Sequence, residues 1–202
     1  MNKKKTIAVA IVLALILLIG GMLAFYTDTA ETSNVFTLGK KVDITLTETW
    51  TASDGQNILP GAVVNKAPSI KNENNSSPAY VFAEVTVPNY TKNGATTTTP
   101  LFTYDVNSGW AEIKTEDVTG GIKHVYAYGS TTEMTTLAIN TTTSTPVFSK
   151  VKLDKTIKAG DTVPTNTQID VKAYGIQSSN LTKSDGTQAS TPAEIFALFT
   201  NN

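Results

Sequence analysis

Hydrophobic and polar residues alternate with a period of two in four of five strand-like stretches between Lys40 and Gln177, imperfectly in TPVFSKVKL, and the fifth, IKHVYAYG, is rich in β-branched and aromatic residues. In KKVDITLTETW, for example, Val42, Ile44 and Leu46 alternate with polar residues. A period of two places one face of a β-strand on a core and the other face in water. The other four stretches are YVFAEVTVP, IKHVYAYG, TPVFSKVKL and NTQIDVKAYGIQ. The pattern therefore predicts a chain built mainly of β-strands.

Residue pairs that favour turns separate these stretches. They are Asp54-Gly55, Pro60-Gly61, Asn93-Gly94, Ser108-Gly109, Ala159-Gly160 and Asp185-Gly186. Pro88 lacks an N–H group and should prevent its strand from continuing as a central one. Gly175 should mark a bulge in its strand. Many short strands with frequent turns and no long helical period predict an all-β fold, a jelly-roll-like antiparallel β-sandwich.

One short helix is expected at the end of the chain, in STPAEIFALF. Thr191 has the residue type of an N-cap, Pro192 suits the first helical position, and Glu194 completes a capping box. The apolar residues that follow would pack on an edge of the core. The sequence therefore predicts a C-terminal helix of about two turns.

The beginning of the chain has a different pattern. Three lysines lie within residues 1–5, and the following Thr6–Ala24 contains no charged residue. This order is typical of a secretory signal peptide, predicted here over residues 1–24. Small residues at Gly20, Gly21 and Ala24 favour cleavage between Ala24 and Phe25. A permanent membrane anchor is the alternative, because about 18 apolar residues can just span a bilayer.

Composition narrows the class of partner. The chain has no arginine and a net charge of −1, and loss of the leader with its three lysines would take that charge to −4. A mildly acidic domain without arginine does not attract the phosphate backbone of a nucleic acid, so nucleic-acid partners are excluded. The chain also has no cysteine, and residues 25–202 are numerous enough to fold around a core without disulfides.

No combination of residues in the sequence matches a catalytic or metal-binding pattern. His124 is the single histidine, so a His-rich zinc site cannot be assembled. Neither H-E-x-x-H nor G-x-S-x-G occurs. The loops TEDVTGG and LTKSDGTQ combine acids with glycines but lack the spacing of a calcium loop. We therefore expect no enzyme, no metal site and no cofactor.

The leader and the residues after it carry a more specific pattern. GGMLAFYTDTAETSNVFTLGKKVDITLTE resembles the leader junction of the TasA/camelysin family, whose members are exported by a SipW-type signal peptidase. The family's double glycine, alanine, aromatic residues, polar residue, aspartate and N-x-F-x-x-G are matched by Gly20, Gly21, Ala24, Phe25, Tyr26, Thr27, Asp28, Asn34, Phe36 and Gly39. ILPGAVVNKAPSIKNENNSSPAYVFAEVTVP and IDVKAYGIQ are also similar to segments of these proteins, whereas TETWTASDGQN has no counterpart in the best-known matrix fibre protein of the family.

The resemblance implies a jelly-roll domain over residues 41–202 that polymerises into the fibres of an extracellular biofilm matrix. Residues 25–40 would be the donor strand, added to the sheet of the next subunit in a head-to-tail homopolymer. Val35 and Phe36 would be the apolar anchors, and the other members of the strand-addition segment are Tyr26, Asp28, Asn34 and Gly39. The alternative is that this segment pairs with its own sheet as an ordinary first strand.

The resemblance also implies a location and partners. The protein would be secreted into the matrix or to the cell surface, or stay anchored in the membrane if the leader is not cleaved. Its partners would be further copies of itself, the SipW-type signal peptidase during export, and other matrix proteins. Camelysin is described in its family as a metalloprotease, an activity that one histidine and no zinc motif do not support.

A different class of function is a monomeric cell-surface adhesin or ligand-binding module. It would use an exposed aromatic patch around Tyr90, Tyr104 and Trp110, since large exposed apolar patches mark interaction sites. The alternative for Trp110 is that it packs on the core.

Overall fold

The computed structural model describes residues 27–29, 42–165 and 167–199. Within these ranges the chain forms twelve β-strands, one 3₁₀-helix and one α-helix. The strands are β1 Thr27–Thr29, β2 Ile44–Thr49, β3 Val63–Asn65, β4 Ala67–Asn72, β5 Ala79–Thr91, β6 Thr98–Pro100, β7 Phe102–Val106, β8 Trp110–Val118, β9 Gly121–Tyr128, β10 Thr141–Thr142, β11 Phe148–Leu153 and β12 Asp170–Gln177. The 3₁₀-helix is η1 Ala52–Gly55 and the α-helix is α1 Pro192–Ala197.

All strand pairs are antiparallel, and they form one large sheet and two small ones. The large sheet has the order β1-β12-β5-β9-β8, and β6 pairs with the end of β5. The small sheets have the orders β10-β4-β2 and β3-β11-β7. Backbone hydrogen bonds from Lys66 to Ser149 and from Val147 to Pro68 join the two small sheets. The sheets curl into a half-barrel, so the prediction of an all-β fold with a short C-terminal helix is confirmed.

The main core lies between the large sheet and the two small ones. The large sheet contributes the face of β5 that carries Val81, Ala83, Val85 and Val87, as its alternation predicts. The opposite side of the core is formed by apolar residues of β2, β4, β7 and β11, among them Ile44, Ile70, Phe102 and Phe148. Because their strands alternate, the two small sheets turn their polar faces to water.

A second cluster covers the other face of the large sheet. Phe82 on β5 is fully buried there by the C-terminal helix, with its ring centroid 5.3 Å from that of Phe196 and 6.0 Å from that of Phe199. Thr191 caps α1 and accepts a hydrogen bond from the Glu194 amide, while the Glu194 side chain accepts one from the Thr191 amide. The predicted helix and its capping box are confirmed.

Pro88 lies where β5 changes neighbours. β5 continues through Pro88 to Thr91, but its pairing with β12 ends at Thr86 and its pairing with β9 ends at Pro88, opposite Gly121. Beyond Pro88 the strand that pairs with β5 is β6. Among the described strands, β5 is thus flanked on both sides only before Pro88, as the missing N–H group predicts. The Pro88 carbonyl accepts a hydrogen bond of 2.8 Å from the Leu101 amide.

The bulge expected at Gly175 is absent, because β12 pairs with β5 without a register shift from Asp170 to Gln177. Register shifts occur instead in β8, between Glu112 and Lys114 against β9, and in β11, between Phe148 and Val151 against β7. The shift in β11 explains why the alternation in TPVFSKVKL is imperfect.

Among the described residues, no helix is long and apolar enough to cross a membrane.

Candidate functional site

The outer edge of β12 is where the N-terminal segment meets the domain. On one side β12 pairs with β5 along its whole length, and on the other side the backbone of β1 pairs with its second half. The partners are Thr27 with Ile176, Asp28 with Gly175, and Thr29 with Tyr174. Within the described ranges no strand pairs with Asp170–Ala173 on that outer side. The described pairing therefore covers only part of this sheet edge.

Gly175 has a close-packing role at this edge. A methyl group on Gly175 would lie 3.0 Å from Cγ1 of Val42 and 3.0 Å from Cγ2 of Ile44. Both neighbours belong to the start of β2, on the opposite side of the main core. A glycine inside a strand often marks such a close approach of another chain segment. The N-terminal part of the domain, around Val42, is therefore held directly against the second half of β12.

An apolar groove of about 650 Å³ opens beside the first residues of β12. Leu101, Phe102 and Leu153 are among its buried lining residues, and the exposed lining residues include Trp50 and Val163. Six large apolar side chains are exposed among the described residues, and two of them are these lining residues. Two more, Leu59 and Val63, adjoin lining residues in sequence. Exposed apolar surface concentrated in this way is typical of a binding site.

Trp50 is fixed in place at the rim of this groove. Its ring lies directly against Gly55 of η1. A methyl group added to Gly55 would be only 2.6 Å from the ring. On the other side the Lys66 ammonium lies 5.5 Å from the ring centroid, within the range of a cation–π contact. Lys66 also forms an ion pair with Glu48 at 2.8 Å. The stretch TETWTASDGQN thus contributes Trp50, Gly55 and Asn57 to the wall of the groove.

The aromatic patch expected for an adhesin is absent from the described surface. Tyr90 and Trp110 are buried, and Tyr104 is half-buried. The Tyr90 hydroxyl donates to the Asp154 carboxylate at 2.8 Å, and the Trp110 indole donates to the Thr145 carbonyl at 3.0 Å. The expectation of exposed aromatic loops is therefore wrong, whereas the alternative that Trp110 packs on the core is confirmed. These side chains are buried because β7, β8 and the end of β5 all turn them inward.

His124 lies in a half-buried cluster rather than in a cleft. Its Nδ1 is 2.5 Å from Oε1 of Glu112 and 3.5 Å from the hydroxyl of Thr115, which itself donates to the same carboxylate oxygen. Burial raises the pKa of the Glu112 carboxyl, but hydrogen bonds from Thr115 and His124 outweigh it and lower the pKa overall. The Glu112 carboxylate and the Thr115 hydroxyl therefore both approach Nδ1 of the His124 imidazole. A catalytic triad instead needs its base between the acid and the nucleophile.

Two tyrosines complete this cluster and are held neutral. The hydroxyls of Tyr104 and Tyr126 lie 2.9 Å apart. Burial raises the pKa of both phenols, that of Tyr126 to about 12. Neither phenol ionises at neutral pH, so neither supplies a phenolate base or an anionic metal ligand.

Each of the two acidic stretches considered for calcium has a carboxylate engaged within the protein, Asp185 in one and Glu116 in the other. The Asp185 carboxylate accepts hydrogen bonds from the amide and the hydroxyl of Thr187. Glu116 lies on β8 between Lys114 and Lys123, whose hydrogen bonds hold the pKa of its carboxyl at about 2. Across the part of the chain that the structure describes, no group of three or more His, Asp or Glu side chains lies together so as to hold a metal ion.

The geometry defines an all-β domain with an N-terminal strand on the edge of its large sheet and an apolar groove next to that edge. Residues 1–94, just under half of the chain, match the camelysin metallo-endopeptidase family. The match confirms the resemblance of this N-terminal part of the chain to the TasA/camelysin family. Proteins of this family are extracellular or surface proteins. No curated protein and no solved structure matches the chain.

The family description names a metallo-endopeptidase, but the side chains present do not fit a zinc site. Zinc is held by several His, Cys or carboxylate ligands around one point, and the chain has one histidine and no cysteine. The carboxylate nearest that histidine, Glu112, is already engaged by Thr115. The expectation that this chain is not an enzyme stays a prediction.

The structure places one residue of the predicted strand-addition segment. Asp28 lies in β1, opposite Gly175. The pairing of β1 within its own chain is the arrangement of the first-strand alternative, and exchange between copies stays a prediction. The other predicted residues, at the cleavage site and in the strand-addition segment, lie outside the described residues: Ala24, Phe25, Tyr26, Asn34, Val35, Phe36 and Gly39.

Local sequence patterns do not predict the apolar groove or the residues that form its wall. Trp50, Leu101 and Ile169 lie far apart along the chain, and only the fold brings them together. One local signal was present, because a tryptophan directly after a strand and close to a glycine-containing turn is an unusual residue to leave in solvent.

Proposed function

We propose that this protein is a secreted structural component of an extracellular biofilm matrix, which polymerises into fibres by N-terminal strand addition between subunits. The match to the TasA/camelysin family supports the secreted matrix role. The observation that carries the assembly mode is the antiparallel pairing of Thr27–Thr29 with the outer edge of β12. The N-terminal segment is thus able to add a strand to this edge.

The energetics of this edge favour exchange between copies. A three-residue edge strand makes few ladder hydrogen bonds, and a neighbour's segment with the same sequence can form the same bonds. Exchange therefore costs little within the strand itself. The resulting contact is head-to-tail, so it does not close into a small ring by symmetry and it propagates as a filament.

Export comes before assembly in this proposal. A SipW-type signal peptidase would cut between Ala24 and Phe25 and release the segment that starts at Phe25. A chain with an uncleaved leader would remain tethered in the membrane, and its first strand would not reach a neighbour. Other matrix proteins are the further partners we expect around the fibre.

The experiment that tests the proposal compares purified residues 25–202 with a version that begins at Lys40. Both are inspected by negative-stain electron microscopy, and circular dichroism checks that both contain the same β-structure. We expect filaments only from the longer protein. Filaments from both versions would refute strand addition by residues 25–39, and folded monomers from both would refute polymerisation.

A monomeric surface protein that binds a ligand is the second candidate, and the apolar groove is the observation that favours it. In that case the version that begins at Lys40 would keep its ligand binding, because all residues that line the groove lie at Trp50 or later in the chain. The same pair of proteins therefore separates the two functions.

A further inference from the structure

The register between β1 and β12 predicts where a longer donor strand would lie. Each step forward from Thr27 to Thr29 moves the partner one residue back, from Ile176 to Tyr174. Continued in the same way, this register places Ser33 opposite Asp170, the first residue of β12. Three residues further on, it places Phe36 opposite Thr167, and Thr167 lines the apolar groove.

The alternation of side chains favours Phe36 as the residue that enters the groove. Directly opposed residues in antiparallel strands share a face. Phe36 therefore shares the face of Thr167 and Ile169, and Ile169 is buried in the main core. The other inward positions of the segment are small or polar, namely Ala30, Thr32 and Asn34. Only one large apolar side chain falls at the groove.

Charge also fits this register. Glu31 would lie opposite Lys172, on the outward face of the strand pair. Opposite charges directly across two strands stabilise the pair modestly, whereas a shift of one residue would turn Phe36 away from the groove. The charged pair and the apolar anchor therefore select the same alignment.

Chain length indicates that the strand comes from a second copy. Val42 lies beside Gly175, and along an extended edge Thr167 is about 26 Å from Gly175 at about 3.3 Å per residue. The six steps from Phe36 to Val42 span at most about 22 Å. A chain therefore cannot both place its own Phe36 at Thr167 in this register and return to its own Val42. A second copy is under no such limit.

We propose that the groove beside Trp50 receives Phe36 of a second copy, with residues 30–36 of that copy antiparallel to the first half of β12. The neighbour's segment takes the place of the chain's own at this edge. The proposal rests on the proposed function and adds the alignment and the receiving site. The groove of about 650 Å³ is larger than one phenyl ring requires, and its rim remains apolar at Val163.

Disulfide trapping tests the alignment, since the natural chain has no cysteine that would interfere. Copies of the mature protein with Ser33→Cys are mixed with copies carrying Asp170→Cys, and the mixture is oxidised mildly under assembly conditions. We expect disulfide-linked dimers on a non-reducing gel. The control mixture, Thr27→Cys with Asp170→Cys, is six positions out of register and should give none.

The outcomes separate this proposal from the proposed function. Filaments without the Ser33–Asp170 dimer, or equal dimer from the control mixture, would overturn the alignment while fibre formation stands. Absence of filaments from the unmodified protein would overturn both. A double variant with Ser33→Cys and Asp170→Cys that closes within one chain, as a faster-migrating monomer, would also overturn the origin in a second copy.

Substitutions at both ends of the contact test the anchor. Phe36→Ala should raise the protein concentration needed for filaments about 10- to 150-fold, from the loss of one buried aromatic side chain. Val163→Asp, on the exposed rim of the groove, should raise it as well. The matched control is Val35→Ala, whose side chain faces outward in this register and should change the threshold by less than about threefold. An equal effect of Val35→Ala and Phe36→Ala would overturn the assignment.

Discussion

Replacing Gly175 by larger residues tests how closely β2 and β12 pack at the edge of the half-barrel. A methyl group at this position would lie 3.0 Å from Val42 and from Ile44. Ordinary carbon–carbon contacts lie at about 3.5–4.0 Å. Alanine therefore requires the neighbours to yield by several tenths of an ångström, and the two further methyl groups of valine require a larger displacement of β2.

The size of the effect follows from two opposing contributions. Overpacking a close-packed site typically costs about 1–3 kcal/mol. Removing a glycine from a strand and introducing a β-branched residue recovers up to about 1 kcal/mol. We therefore expect Gly175→Val to lower the free energy of unfolding by about 1–2 kcal/mol, and Gly175→Ala to have a smaller effect. For a domain of this size that corresponds to a fall in Tm of about 2–8 °C for valine.

The assay is thermal and urea unfolding of residues 25–202, followed by circular dichroism. Lys172→Val serves as the matched control, because it introduces the same side chain on the exposed face of the same strand. Such surface changes usually stay within about 0.5 kcal/mol. A Tm for Gly175→Val equal to that of Lys172→Val would refute the close contact between β2 and β12.

Two further substitutions test contacts that hold other parts of the fold. Tyr90→Phe removes the hydroxyl that donates to Asp154, and should cost about 1–2 kcal/mol by urea unfolding at pH 7. Burial raises the pKa of the Asp154 carboxyl, but hydrogen bonds from Thr156 and Tyr90 outweigh it and lower the pKa overall. The stability that the ionised Asp154 carboxylate contributes is therefore complete above the carboxyl's ordinary pKa. It is lost as the pH falls through the pKa of this carboxyl in the folded state. Tyr90→Phe should reduce this acid-dependent loss of stability, and an unchanged pH profile would contradict the prediction. Thr191→Ala removes the cap of α1 and should cost about 1 kcal/mol by thermal unfolding, whereas no change would mean that tertiary packing alone holds the helix.

The sequence alone predicts those parts of the fold that depend on local patterns. Alternation located the strands around Ile44 and Val85, because the face of a strand residue is set by its parity in the chain, and a run of β-forming residues located the strand around Val125. Thr191 and Glu194 located the helix start, since a capping box closes within four residues. The family resemblance was likewise carried by a contiguous motif around the leader, and the family match covers it.

Tertiary structure decided the features that depend on which strands become neighbours. Pro88 is tolerated because β9 begins opposite it and β6 pairs with the residues beyond it. Tyr90, which the sequence allowed as a surface residue, is buried, and Asp154, far along the chain, accepts a hydrogen bond from its hydroxyl. Such partners are set by the global topology, and a local pattern contains no information about them.

The candidate site shows the same division. The family resemblance in the sequence implies a strand-addition segment in residues 25–40, with Val35 and Phe36 as its apolar anchors. Only the tertiary structure placed an edge strand on β12 and an apolar groove at the end of that edge. The groove combines residues from Trp50 to Asp170, separated by most of the domain. The physical reason is that a binding surface arises from packing between distant segments, whereas strand propensity is a property of neighbouring residues.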